Sequence, residues 1–119
     1  MESKRLHEGE ARFMDIVWSS EPVPSGELVA LCQKALGWKK STTYTTIKRL
    51  CDKGLLRSED SVVTALVSRE EVQAAESSFV VEQTFAGSLP GFLVAFLGGK
   101  TVSKEEAEEL KRMIDAHCE

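Results

Sequence analysis

KKSTTYTTIKRLCDKG, residues 39–54, decides how the chain is read. Ser41 to Thr45 all carry hydroxyls, two lysines precede them, and Lys48 and Arg49 follow. Thr43, Ile47, Leu50 and Cys51 recur at three- and four-residue spacing, which predicts a helix over roughly Lys40 to Lys53, ended by Gly54. Ser41, Tyr44, Thr45 and Lys48 then share the opposite face. Threonine is a poor helix former, so a threonine-rich helix start points to a demand from packing or binding. Lysine and short hydroxyls donate to phosphate oxygens, lysine also reaches guanine, and threonine methyls pack on thymine. A helix N-terminus adds oriented N–H groups and partial positive charge. The plainer alternative is a helix start whose hydroxyls bond only their own backbone.

Charge around the segment favours the binding reading. The chain has 119 residues and a net charge of −4. Residues 34–57 hold seven basic side chains against Asp52 alone, whereas residues 1–33 and 58–119 are net acidic. A basic island in an acidic chain marks a contact for a polyanion, and otherwise is a solvated face. Hydrophobic content of 42% and charged content of 29% are ordinary for a globular domain. No run of about 18 apolar residues exists, so no membrane insertion is expected. The polar start lacks the apolar core of a secretory signal. Cys32, Cys51 and Cys118 are odd in number and widely spaced, with no CxxC pair. They suit a reducing cytoplasm, and no metal site or cofactor is expected.

Outward from this segment the chain reads as alternating helices and breaks. A helix over Leu6 to Ser20 has Leu6, Glu10, Phe13, Met14, Val17 and Trp18 on one side, and SSEPVP breaks it. Ser25 caps a second helix through Leu36, with Gly37 just past its end. LLRSE and VVTALV flank Asp60 and Ser61 as a hairpin. Ser68 with Glu71 forms a capping box that opens a helix to about Phe85. An apolar piece, Leu89 to Leu97, lies between Gly87-Ser88 and Gly98-Gly99. Ser103 with Glu106 opens a last helix.

Three helices and a hairpin imply a mostly α fold with a small β-hairpin. The expected architecture is a winged helix-turn-helix DNA-binding domain over residues 1–67 and a C-terminal helical dimerisation region over 68–119. In a helix-turn-helix the second helix enters the major groove with its first turn toward the bases. The candidate DNA-binding residues are therefore Lys39, Lys40, Ser41, Thr42, Tyr44, Thr45, Lys48 and Arg49, with Arg57 at the base of the hairpin. Val72, Phe79, Leu89, Phe92, Leu93, Phe96, Leu110, Met113 and Ile114 form apolar stripes with little to cover them in one chain. A homodimer is expected, against the alternative of a tail folded back on the first helix.

MDIVW (14–18), GWKKSTTYTTIKRLCDKGLL (37–56), LVSREE (66–71) and FAGSLPGFLVAFLGGKTVSKEEAEEL (85–110) resemble, in order and spacing, the penicillinase repressor family of bacterial regulators, the BlaI, MecI and CopY proteins. Trp38, Thr42, Thr45, Lys48, Arg49, Leu50, Lys53 and Gly54 fit that family's pattern. The resemblance implies a homodimeric repressor in which each winged helix reads half of a palindromic operator. It also implies, for the β-lactam branch, inactivation by proteolysis in the C-terminal region and a membrane sensor-protease as partner. The matching bond is Ala95–Phe96, where alanine stands in place of the family's asparagine. The copper-responsive branch carries CxC pairs, which this chain lacks. The hairpin tip also departs from the family, with Glu59 and Asp60 where basic and glycine residues are usual. That acidic tip, with a pI of 5.3, leaves a winged-helix protein-interaction module as the second reading. No nucleophile with an ordered base, no phosphate-binding glycine loop and no convergent carboxylate pair is present, so no enzymatic activity is expected.

Overall fold

The computed structural model describes residues 5–119. The elements are α1 (Glu8–Ser20), β1 (Val23–Pro24), α2 (Ser25–Leu36), α3 (Lys40–Asp52), β2 (Leu56–Glu59), β3 (Val62–Ala65), α4 (Arg69–Phe85), α5 (Leu89–Leu97) and α6 (Lys104–Ala116). The chain divides into two compact units between Val80 and Val81, inside α4.

The first unit is a winged helix. Phe13, Met14 and Val17 of α1 are buried with Leu28 and Cys32 of α2, Ile47 and Leu50 of α3, and Val23, Leu55, Leu56 and Val63 of the sheet region. This is the helical stripe the sequence predicts, closed by one face of a small sheet. The strands run in the order β1-β3-β2, all antiparallel. Arg57 stands opposite Thr64, and Glu59 opposite Val62. Asp60 and Ser61 both have positive φ, 53° and 64°. Two left-handed residues match the right-handed twist of a two-residue hairpin.

Three local expectations shift. α1 begins at Glu8 rather than Leu6, with His7 as the extended cap residue whose N–H donates to Glu10 Oε1. The SSEPVP break contains a strand, because Val23 and Pro24 lie against Val63 and Val62. Ser25 is the first residue of α2 rather than its cap. Pro24 is already extended there, and the Ser25 N–H, free at a helix start, donates to the Ser61 carbonyl. Gly37 does end α2, in the left-handed region at φ 71°.

The capping box opening α4 is formed. Glu71 N–H donates to Ser68 Oγ, and Ser68 N–H to Glu71 Oε1, both at 3.0 Å. The first half of α4 packs on the winged helix. Trp18 Nε1 donates to the Val67 carbonyl at 2.9 Å, and Arg69 pairs with Asp15. Arg5 bonds both carboxylate oxygens of Glu76 and lies 3.6 Å from the Phe79 ring centroid. Val72 and Phe79, assigned from sequence to a dimer contact, are thus half-buried within the first unit.

The second unit holds the end of α4, α5 and α6. Ser88 Oγ accepts from Gly91 N–H and Ser103 Oγ from Glu106 N–H, capping α5 and α6. Phe92 meets Phe85 edge-on and stacks on Phe96. No residue of α4, α5 or α6 is buried. Among the described residues, no single helix is long and apolar enough to cross a membrane.

Candidate nucleic-acid interface

The hydroxyl row of α3, which Thr46 continues, splits between two faces. Thr43 and Thr46 turn inward and are buried beside Ile47 and Leu50. Thr46 Oγ1 donates to the Thr42 carbonyl at 2.9 Å, and Thr43 Oγ1 reaches toward the Lys39 carbonyl. The buried hydroxyls are therefore satisfied by their own helix, the plainer role for a threonine. Ser41, Thr42, Tyr44 and Thr45 remain exposed, with Lys39, Lys40 and Lys48 around them. No acidic residue lies in the first turn, so nothing there offsets the partial positive charge of the helix N-terminus. The Lys40 ammonium lies 6.0 Å from the Tyr44 ring centroid, at the outer limit of a cation–π contact. Lys48 meets Asp52 one turn on at 3.8 Å, with both side chains solvated. Such a pair is weak and leaves Lys48 available to another anion.

Arg49 stands apart from the other candidates. The sequence reading puts it among the candidate DNA-binding residues, and its Nε donates to Glu10 Oε2 of α1 at 2.7 Å. Lys53 Nζ reaches Glu10 Oε1 at 3.3 Å, and that oxygen also accepts the His7 N–H. Glu10 is 2% exposed. Burial alone would raise its carboxyl, but Arg49, the His7 N–H and Lys53 together hold it below the ordinary value. Sequence periodicity already sets Glu10 on the inward stripe of α1. A carboxylate there requires a cation, and that was the available signal for this network. Its partners lie 39 and 43 residues away, beyond any local pattern.

Arg57 is exposed on β2, and Glu59 and Asp60 are exposed at the hairpin tip. Burial raises the Cys32 and Cys51 thiols, and Asp52 adds to the effect at Cys51. Among the described residues, no group of three or more His, Cys, Asp or Glu side chains is placed to hold a metal ion.

Residues 6–116 match the family described as Penicillinase repressor. The chain belongs to the penicillinase repressor family. It is 22% identical over 117 residues to the "Penicillinase repressor" of Bacillus licheniformis, covering 95% of this chain and 91% of that protein. It is 30% identical over 111 residues to an "Uncharacterized 16.5 kDa protein in ptsI 3'region" of Latilactobacillus sakei, covering 90% of this chain and 76% of that protein. Membership in the penicillinase repressor family supports a transcriptional repressor role for the chain, and members of this family are regulators.

Proposed function

We propose that this repressor binds a palindromic operator as a homodimer in the cytoplasm, with α3 of each subunit in a major groove. One observation carries the reading. The packing of α3 turns Thr43, Thr46, Ile47 and Leu50 inward and leaves Ser41, Thr42, Tyr44, Thr45 and Lys48 exposed in the most basic part of the chain. Lys39, Lys40 and Lys48 then supply phosphate contacts, Arg57 one more from the wing, and Thr42 and Tyr44 face base edges. Dimerisation draws on Leu89, Leu93, Phe96, Leu110, Met113 and Ile114, which are all exposed. An exposed apolar face this large marks an interaction surface.

Release of the operator by a membrane sensor-protease cutting Ala95–Phe96 belongs to the same reading. That bond lies in the last turn of α5, where the Phe96 carbonyl accepts from Lys100 Nζ at 3.0 Å. A protease needs the turn to open, and Gly98-Gly99 immediately after it lowers the cost of opening.

The test is selection of duplexes from a random pool, followed by titration of the recovered sequence at several salt concentrations. The reading expects paired half-sites about one helical turn apart and affinity that falls steeply with salt. A protein that enriches no duplex, or binds with a flat salt response, ends it.

A further inference from the structure

We propose that Glu10 is a positioning residue for operator binding: its buried carboxylate orients Arg49 as a fixed phosphate clamp at the edge of the recognition face. The inference rests on the operator-binding reading and adds to it a residue from outside the helix-turn-helix. Arg49 follows Thr45 by one turn and Thr42 by two, so it borders the exposed row of α3. Its Nε is held by Glu10 at 2.7 Å, yet its side chain is 47% exposed. A guanidinium has five N–H donors in a rigid fork, so one bond through Nε fixes its plane while the four N–H groups of Nη1 and Nη2 stay open to an anion. A phosphate bound there meets a donor whose rotamer entropy is already spent. Lys53 and the His7 N–H occupy the other carboxylate oxygen, so Glu10 itself is held from two sides and cannot swing with Arg49. Glu10 therefore links the start of α1 to the outer edge of α3.

The sign of one substitution separates this role from general electrostatics. Removing a negative charge near DNA should tighten binding. Removing the residue that orients a phosphate contact should weaken it. The experiment measures the affinity of wild type, Glu10→Gln, Arg49→Ala and the double variant for a duplex selected by the wild-type protein, across a salt series, with melting curves alongside. Glu10→Gln is expected to weaken binding about tenfold and to lower the salt slope by about one, although no cation has been removed. Arg49→Ala should do the same, and adding Glu10→Gln to it should cost nothing further. Glu10→Asp keeps the charge but is one methylene short, and is expected to weaken binding in the same direction should Glu10→Gln melt too low to assay. A Glu10 variant that stays folded and binds as tightly as wild type, or more tightly, overturns the positioning role and leaves operator binding standing. Wild-type protein that binds no duplex overturns both.

Discussion

The Trp38 ring lies against Phe13 with centroids 5.7 Å apart and planes 9° from parallel. Trp38 stands between the left-handed Gly37 and Lys39, the cap residue of α3. The stack therefore fastens the α2–α3 turn to the middle of α1, and with it the first basic residues of α3. Phe13 is fully buried, so its face is lost to solvent once the indole goes. Trp38→Ala is expected to lower the free energy of unfolding by about 2–3 kcal/mol in urea titrations. A change below about 0.5 kcal/mol would mean the stack contributes no more than an ordinary surface contact.

Glu10 gives the fold an acid limit. Its carboxyl titrates below the ordinary 4.5 in the folded chain. A group lowered by folding contributes stability above its unfolded value, and that contribution is lost as pH falls through the folded one. Melting temperature should therefore fall more steeply in wild type than in Glu10→Gln as pH drops from about 4.5 downward, and the two should converge in acid. Parallel curves would assign the acid sensitivity to other carboxylates.

The helices were largely legible in the sequence because their punctuation is local. Gly37 and Gly54 end α2 and α3, Ser68 and Ser103 open α4 and α6, and Asp60-Ser61 turns the wing. The winged-helix class follows from that order. β1 was hidden because two residues make a strand only when a distant partner lies beside them, here Val62 and Val63. The Glu10 network was hidden for the same reason, and it changes how Arg49 is understood. Thr46 follows the exposed Thr45 directly, and only the packing of α3 shows that it turns inward with its hydroxyl bonded to the Thr42 carbonyl. The first half of α4 shows an apolar stripe like that of the later helices, and sequence alone does not say that Arg5 lies over Phe79 and covers part of it.

The three thiols should separate kinetically. Cys118 is exposed, Cys51 half-buried and Cys32 buried. Burial raises Cys32 and Cys51, which lowers the thiolate fraction that attacks an aromatic disulfide reagent. At neutral pH Cys118 should react first, Cys51 slowly, and Cys32 only after denaturant is added, as followed by peptide mass spectrometry. Rapid labelling of Cys32 in the native protein would contradict the packing of α2 on α3.

Leu110, Met113 and Ile114 line one side of α6 and are each close to half exposed. None belongs to the core of the winged helix. If the proposed homodimer forms through this side, Ile114→Lys should leave the main unfolding transition nearly unchanged while shifting the sedimenting species from dimer to monomer. Operator affinity should fall by about a hundredfold or more, because the second half-site no longer binds as a tethered event. An Ile114→Lys protein that still sediments as a dimer would move the subunit contact elsewhere, first to Leu89, Leu93 and Phe96 of α5.

Glu59 and Asp60 set the last question, whether the wing meets the duplex. Arg57 and Glu59 alternate on the same face of β2, so a carboxylate sits beside the wing's own phosphate candidate. The Asp60 backbone is left-handed at φ 53°, a conformation that asparagine also accepts, so Asp60→Asn removes charge without straining the turn. Glu59→Lys with Asp60→Asn should tighten operator binding several-fold and steepen the salt slope by about one. Arg57→Ala should weaken binding less in that background than in wild type, since the new lysine offers the phosphate a substitute. If the charge-reversed wing binds no tighter and its salt slope is unchanged, the hairpin stands away from the duplex. The acidic tip would then be free for a protein partner, and α3 alone would carry the operator contact.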